Sequence, residues 1–390
     1  MSHINIIAKD NRVQSALRSF HSRQKQQLEL AINIQQIPAP TFAEGERAQF
    51  VQAQFEALGL HDVEQDELHN VYARLPGEQV GSPVIVSAHL DTVFPMETDL
   101  SVVRNGRYLQ GPGIGDNSTG VAGLITIAKA LKENQLTLPR DVWFVANVCE
   151  EGLGDLLGMK AVVDRFGDNA TYVVVEGGLF GRVCHQAIGA TRFRIGVSGP
   201  GGHSWGSFGT PSAIHVLSLI VTAIDELNVP EVPRTTYNVG TIEGGTSINT
   251  IAQTASLQLD LRSENVAILE RLVKDVRRIV DEVGDSFTAV GIEISMDVIG
   301  QRPAGSIPRE SELVQFAVDA LNYVGFRNIN YMVGSTDANI PLSRGITAVC
   351  VGLTESANAH RTDEYIDPIH LPDGLGQLLL LTLAATGFAQ

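Results

Sequence analysis

Cysteine is scarce: only Cys149, Cys184 and Cys350 occur among 390 residues, each inside an apolar run. Three such residues make no disulfide framework, so a reducing compartment is expected. Basic residues are also in deficit, 28 Lys and Arg against 44 Asp and Glu, which leaves a net charge of −16. That balance argues against nucleic acid or an anionic membrane as a partner. A soluble acidic surface accounts for it, and a cluster of acidic metal ligands would account for a part. No stretch approaches the ~18 apolar residues that a membrane span needs. The opening residues have neither a long apolar core nor a cleavage-site pattern. A cytoplasmic protein is expected.

The remaining composition is that of an ordinary soluble chain, 44% apolar and 18% charged. At 390 residues it exceeds one hydrophobic core and suits two domains. Its 38 glycines predict many tight turns between short elements.

Two styles of patterning divide the chain. Residues 24–58 carry a helical pattern interrupted at Pro38 and Pro40. Val84 to Ala88 is a continuous apolar run that stops at His89; Val142 to Cys149 stops at Glu150, and Tyr172 to Val175 stops at Glu176. Such runs suit strands buried on both faces of a parallel sheet. Between the first two lies a helix with Val121, Leu124, Ile125, Ala128 and Leu131 at helical spacing. Strand, helix, strand implies a doubly wound, mainly parallel α/β layer. Near residue 190 the style changes. Ser256 to Arg262 and much of Ile292 to Val298 alternate, as antiparallel strands with one wet face do. One helix is expected from Thr210-Pro211 through Ile224, and another from about Glu264 through Val280. Buried-strand character returns at Ala348 to Val351. The expected organisation is a larger α/β domain, residues 1–190 and 306–390, with a small α+β domain, residues 191–305, inserted into it.

Ionisable groups follow the buried strands directly: His89 with Asp91, Glu150 with Glu151, and Glu176. Ligands of open α/β sheets collect at the carboxyl ends of strands. Asp116 precedes the amphipathic helix, and His360 follows the late apolar run. Taken singly, Asp116 reads as a helix N-cap, His89 as a structural imidazole and Glu150-Glu151 as a solvated pair. Together, several carboxylates in one cleft need a counter-charge that a divalent metal supplies. Two imidazoles among carboxylates suit zinc better than magnesium or calcium. The Gly111-Pro-Gly-Ile-Gly115 run resembles a dinucleotide loop, but Asp116 would sit where phosphate belongs and Pro112 removes a donor. Gly202-His-Ser-Trp-Gly206 matches a serine-hydrolase elbow only formally, because no helix is expected to follow at once.

The segments Ser87 to Pro95 with His89-Leu-Asp91, Gly113-Ile-Gly-Asp-Asn117, Glu150-Glu-Gly152, Glu176-Gly-Gly178, Gly201-Gly-His-Ser204 and a late His360 resemble, in that order, the aminoacylase, carboxypeptidase G and peptidase T family. The resemblance implies hydrolysis of an amide bond in a di- or tripeptide or an N-acylated amino acid by a co-catalytic pair of zinc ions, with cobalt or manganese as substitutes. Asp116 looks like the bridging carboxylate, His89 and Glu176 like further ligands of one metal, and Glu151 and His360 like those of the other. Asp91 resembles the partner that holds His89 in one tautomer, and Glu150 the general base. His203 matches an oxyanion donor that often comes from the partner subunit; a solvated turn is its bland alternative. Asn249 resembles a substrate-contacting amide. Arg262 resembles a carboxylate-binding side chain, or else a surface charge on a half-wet strand. The inserted domain would serve as lid and homodimer contact. Gly334 to Ile340 and His360-Arg-Thr-Asp-Glu364 look like peptidase-T-like members, favouring an aminopeptidase. The segment Gly152-Leu-Gly-Asp155 departs from that pattern and leaves a deacylase or carboxypeptidase open.

Overall fold

A computed structural model describes residues 2–388. The chain forms two compact units, one running up to Ala187 and resuming at Gly305, the other spanning Ile188–Ala304.

The first unit is built on a nine-stranded mixed sheet. At its centre Val84–His89 lies between Val142–Asn147 and Thr171–Glu176, parallel to both. These three strands carry almost nothing but buried residues, as strands covered on both faces must. The helices Thr119–Glu133 and Leu157–Phe166 make the crossovers. Because the three central strands run the same way, their carboxyl ends share one edge. Ser87 stands opposite Val174, so His89 and Glu176, each two residues further on, end side by side. Antiparallel strands flank this centre: Val71–Leu75 on one side, and Arg182–Ala187 beyond Ala348–Gly352 on the other. The sheet is therefore less uniformly parallel than the apolar runs imply, since an antiparallel strand buried on both faces has the same composition. A small sheet places Tyr365–Asp367 against Tyr108–Gln110, near the end of the glycine loop.

The second unit is a four-stranded antiparallel sheet. Its order is Thr235–Gly244, Thr254–Ser263, Gly189–Ser198, Glu293–Arg302. The strand Thr254–Ser263 alternates between buried and partly exposed side chains along its length. Its inward residues Leu257, Leu259 and Leu261 pack with Val216, Leu217 and Ile220 of helix Ala213–Asp225 and Leu272 and Val276 of helix Val266–Phe287. Asn265 caps the latter helix by accepting the Ile268 N–H at 3.1 Å. The former helix starts two residues later than Thr210-Pro211 would place it. Thr210 donates its N–H to Ser207 in a turn, and Ala213 donates to Ala252, so Ser212 becomes the N-cap. His203 lies on a two-residue strand paired with Thr250-Ile251, and no helix follows it directly. The serine-elbow geometry is absent there.

Candidate metal centre

The strand ends bring the acidic residues to one place, and the turns after them aim the side chains. His89 and Glu176 close their strands. The run after Val142 leaves the sheet at Asn147, earlier than its apolar character suggests. Val148 donates its N–H to Asn70, and Cys149 adopts a left-handed φ of 56° while donating its N–H to Glu44. This turn presents Glu150 and Glu151, both buried. Asp116 sits on an irregular turn over Ile114–Ser118, just before helix Thr119–Glu133. Gly113 opens that turn with φ +70°, where a Cβ would also strike Thr92 at 2.8 Å.

Two half-sites result. The Nε2 of His89 stands 3.1 Å from Asp116 Oδ1 and 3.7 Å from Glu176 Oε2. The Nε2 of His360 stands 3.2 Å from Asp116 Oδ2 and 3.1 Å from Glu151 Oε1. Each oxygen of Asp116 thus faces a different imidazole. Ligand atoms of His89, Asp116 and Glu151 also lie within 4.8 Å of one another, the one such cluster of three among the described residues. Tetrahedral zinc with bonds of ~2.0–2.1 Å spaces its donors about 3.3 Å apart. The observed spacings bracket that value, and the nitrogen and oxygen donor set suits zinc.

Within this cluster the side chains shift one another's charges. Burial opposes a charge on His89, but the hydrogen bonds it donates to Asp116, Asp91 and Glu176 outweigh it and hold the imidazole well above its usual value. Asp116 and then Glu151 push His360 up to about 10. Burial disfavours an ionised Asp116, yet His360 and His89 keep it well below the carboxylate range. Burial raises Glu176 to about 7 despite its contact with His89. Protons on the imidazoles thus supply the positive charge that the carboxylates demand.

Asp91 has more work than orienting His89. The nearer acceptor for His89 Nδ1 is the Asp91 backbone carbonyl, at 3.1 Å, against 3.5 Å for its carboxylate. Donation to that carbonyl leaves Nε2 free to bind a cation. The buried Asp91 carboxylate also accepts the N–H of Glu150 on Oδ1 and the N–H of Glu151 on Oδ2, each at 2.9 Å. Thr41 adds its hydroxyl at 2.9 Å.

Sequence reasoning missed Thr41, Glu44, Asn117 and the role of Glu364. Asn117 donates to Val175 O at 2.9 Å and accepts the Gly177 N–H at 2.7 Å, gripping the chain on both sides of Glu176. Gly177 admits this approach, since a Cβ there would lie 2.2 Å from Gly115 O. Glu364 is buried and accepts three backbone N–H groups of the loop that carries Asp116. Its place four residues after His360 was the one signal available.

His203, Asn249 and Arg262 belong to the second unit. The Nδ1 of His203 receives the N–H groups of Trp205 and Gly206 at 3.2 and 3.3 Å. That fixes the tautomer with hydrogen on Nε2, an exposed donor. Asn249 accepts the Ser247 hydroxyl at 2.7 Å. Arg262 pairs with Asp260 at 2.6 Å, a carboxylate that Arg192 also holds.

A fold of this kind, with carboxylates and imidazoles gathered at one sheet edge, defines a metallohydrolase. Residues 85–383 match the model of Peptidase family M20/M25/M40, and the chain belongs to that family. Among curated proteins it is 24% identical to the uncharacterized protein YqjE of Bacillus subtilis, over 84% of this chain and 89% of that one. It is 25% identical to the succinyl-diaminopimelate desuccinylase of Corynebacterium glutamicum, over 84% and 88% of the two chains. A crystal structure of a tripeptidase from Staphylococcus aureus superposes with a TM-score of 0.78 at 21% identity, covering 93% of this chain and 99% of that one.

Proposed function

We propose that the protein is a two-zinc exopeptidase that hydrolyses the amide bond of di- and tripeptides. The observation that carries this reading is Asp116, whose two oxygens face His89 and His360 separately at 3.1 and 3.2 Å. A carboxylate so placed is suited to bridge two cations. His89 and Glu176 would complete one donor set, and Glu151 and His360 the other. Zinc held there supplies Lewis acidity, which acidifies water towards a pKa of ~7 and polarises a carbonyl. Glu150, outside both donor sets, takes the proton of the attacking water and later delivers it to the leaving amine. Asp91 fixes the backbone of Glu150 and so the reach of its carboxylate. His203 donates from Nε2 to the developing oxyanion.

The tripeptidase likeness and the Gly334–Ile340 loop favour a free peptide as substrate. The similarity to a desuccinylase and the Gly152–Asp155 segment favour an alternative, an N-acyl-amino-acid deacylase or a carboxypeptidase on the same centre. We infer a homodimer through the inserted unit. Trp205, Phe208 and Ile248 stand 86, 92 and 102% exposed there, and strand Thr235–Gly244 is an edge. Light scattering should return twice the chain mass; a monomer at micromolar concentration would refute the dimer. No helix among the described residues is long and apolar enough to cross a membrane.

Metal analysis and assays on a tripeptide and on N-acetyl and N-succinyl amino acids test the function, for wild type and Glu150→Ala. About two zinc ions per chain and tripeptide cleavage are expected, with turnover reduced by ~10²–10⁴ in the variant while metal is retained. Cleavage of acyl amides alone would replace the peptidase by the deacylase. A metal-free wild type, or an unimpaired variant, would overturn the site.

A further inference from the structure

The glycine loop before Asp116 is an anion-binding concavity that the chain fills itself. Successive N–H groups turned inward make such nests, which commonly take phosphate. Here the anion is the Glu364 carboxylate. Its Oε1 accepts the N–H of Gly115 at 2.7 Å and of Asp116 at 2.8 Å, and its Oε2 accepts that of Gly113 at 3.0 Å. The Glu364 carbonyl also accepts the N–H of Gly111 at 2.8 Å. Tight turns join Glu364 to the His360 segment: Glu364 donates its N–H to Arg361, and Arg361 donates to Asn358. One buried side chain therefore fastens the loop bearing Asp116 to the segment bearing His360, across 248 residues of sequence.

We propose that Glu364 is the positioning residue of the metal centre: it fixes Asp116 so that its oxygens face different half-sites and keeps His360 in register with them. The inference rests on the two-metal reading above. Without Glu364, three inward N–H groups lose their acceptor and the turn relaxes, taking Oδ1 and Oδ2 of Asp116 out of their divided arrangement. The near-isosteric Glu364→Gln is the sharpest perturbation. Its amide oxygen can replace Oε1, but its NH2 then confronts the Gly113 N–H, donor against donor. Glu364→Asp keeps the charge on a shorter arm.

Metal-free full-length wild type, Glu364→Gln and Glu364→Asp would be titrated with zinc by calorimetry and with cobalt by visible absorption, after each is shown to melt cooperatively. The expected result for Glu364→Gln is metal affinity weaker by ~10–100-fold, with an altered cobalt spectrum, because groups that orient ligands have effects of that size. Glu364→Asp should fall between it and wild type. Wild-type affinity and spectrum in a folded Glu364→Gln would overturn the proposal, even if its melting point had dropped. Should Glu364→Gln not fold, the same criteria apply to Glu364→Asp. A wild type that binds no metal would defeat both this inference and the functional reading; an unaffected variant beside a metal-binding wild type would defeat this inference alone.

Discussion

Replacing Asp91 by Asn tests how the acid-bearing turn is held. Asp91 is fully buried, and its carboxylate takes one N–H on Oδ1 and an N–H with a hydroxyl on Oδ2, all at 2.9 Å. The Asn amide can set its oxygen at the two-bond position, which leaves its NH2 facing the Glu150 N–H. A charge-assisted bond contributes ~1.5–3 kcal/mol, and a stranded buried donor costs a further ~1–3 kcal/mol, with overlap between the two. A loss of about 3 kcal/mol follows. At just under about 2 °C per kcal/mol for a unit of this size, the melting midpoint of the metal-free protein should fall by about 5 °C. Differential scanning calorimetry in chelator reads this directly. Turnover should fall as well, since the displaced amide belongs to Glu150. A midpoint within about 1 °C of wild type, with turnover unchanged, would refute the account of Asp91 as the clamp of this turn.

Other consequences are open to measurement. His203→Phe should lower kcat by ~10²–10³ with metal content unchanged, as removal of an oxyanion donor does; a change confined to KM would reassign His203 to ground-state binding. Metal uptake near neutral pH should release protons, because His89 is held well above its usual value and His360 up to about 10, and both must be neutral to ligate. Calorimetric enthalpies should therefore vary with the ionisation enthalpy of the buffer, and apparent affinity should rise with pH; buffer-independent enthalpies would contradict this. In the metal-free protein the same His360 ion pairs contribute stability that is complete below its usual value of 6.5 and lost as pH rises through about 10. Melting midpoints should decline along that limb.

The α/β frame was legible because its central strands are nearly pure apolar runs, each ending at an ionisable residue, with an amphipathic helix between. The alternation of Ser256 to Arg262 likewise exposed the antiparallel sheet. The turn after Asn147 was not legible. Val148 and Cys149 look like strand, and only their bonds to Asn70 and Glu44, 78 and 105 residues away in sequence, take them out of it. Glu364 was hidden for the same reason, since its partners lie 248 to 251 residues distant and are backbone groups that any residue could offer. That His89, Asp116, Glu151, Glu176 and His360 could share one crevice was argued from the strand ends, whereas their division into ligand sets rested on the order of short motifs, because periodicity locates strand ends but says nothing of which turns meet.

The position of Ala348–Gly352 dictates the order in which the polypeptide can be completed during synthesis. It lies between Thr171–Glu176 and Arg182–Ala187, two strands close in sequence that pair through it and not with each other. Ile188–Ala304 is continuous and has all its strands once residue 304 has been made. The larger unit must wait for a strand made almost 50 residues later, holding two open edges meanwhile. His360 and Glu364 follow that strand, so a nascent chain cannot assemble its second half-site until the sheet is able to close. Chains halted short of residue 348 should leave a folded insert attached to an unfinished, adhesive sheet.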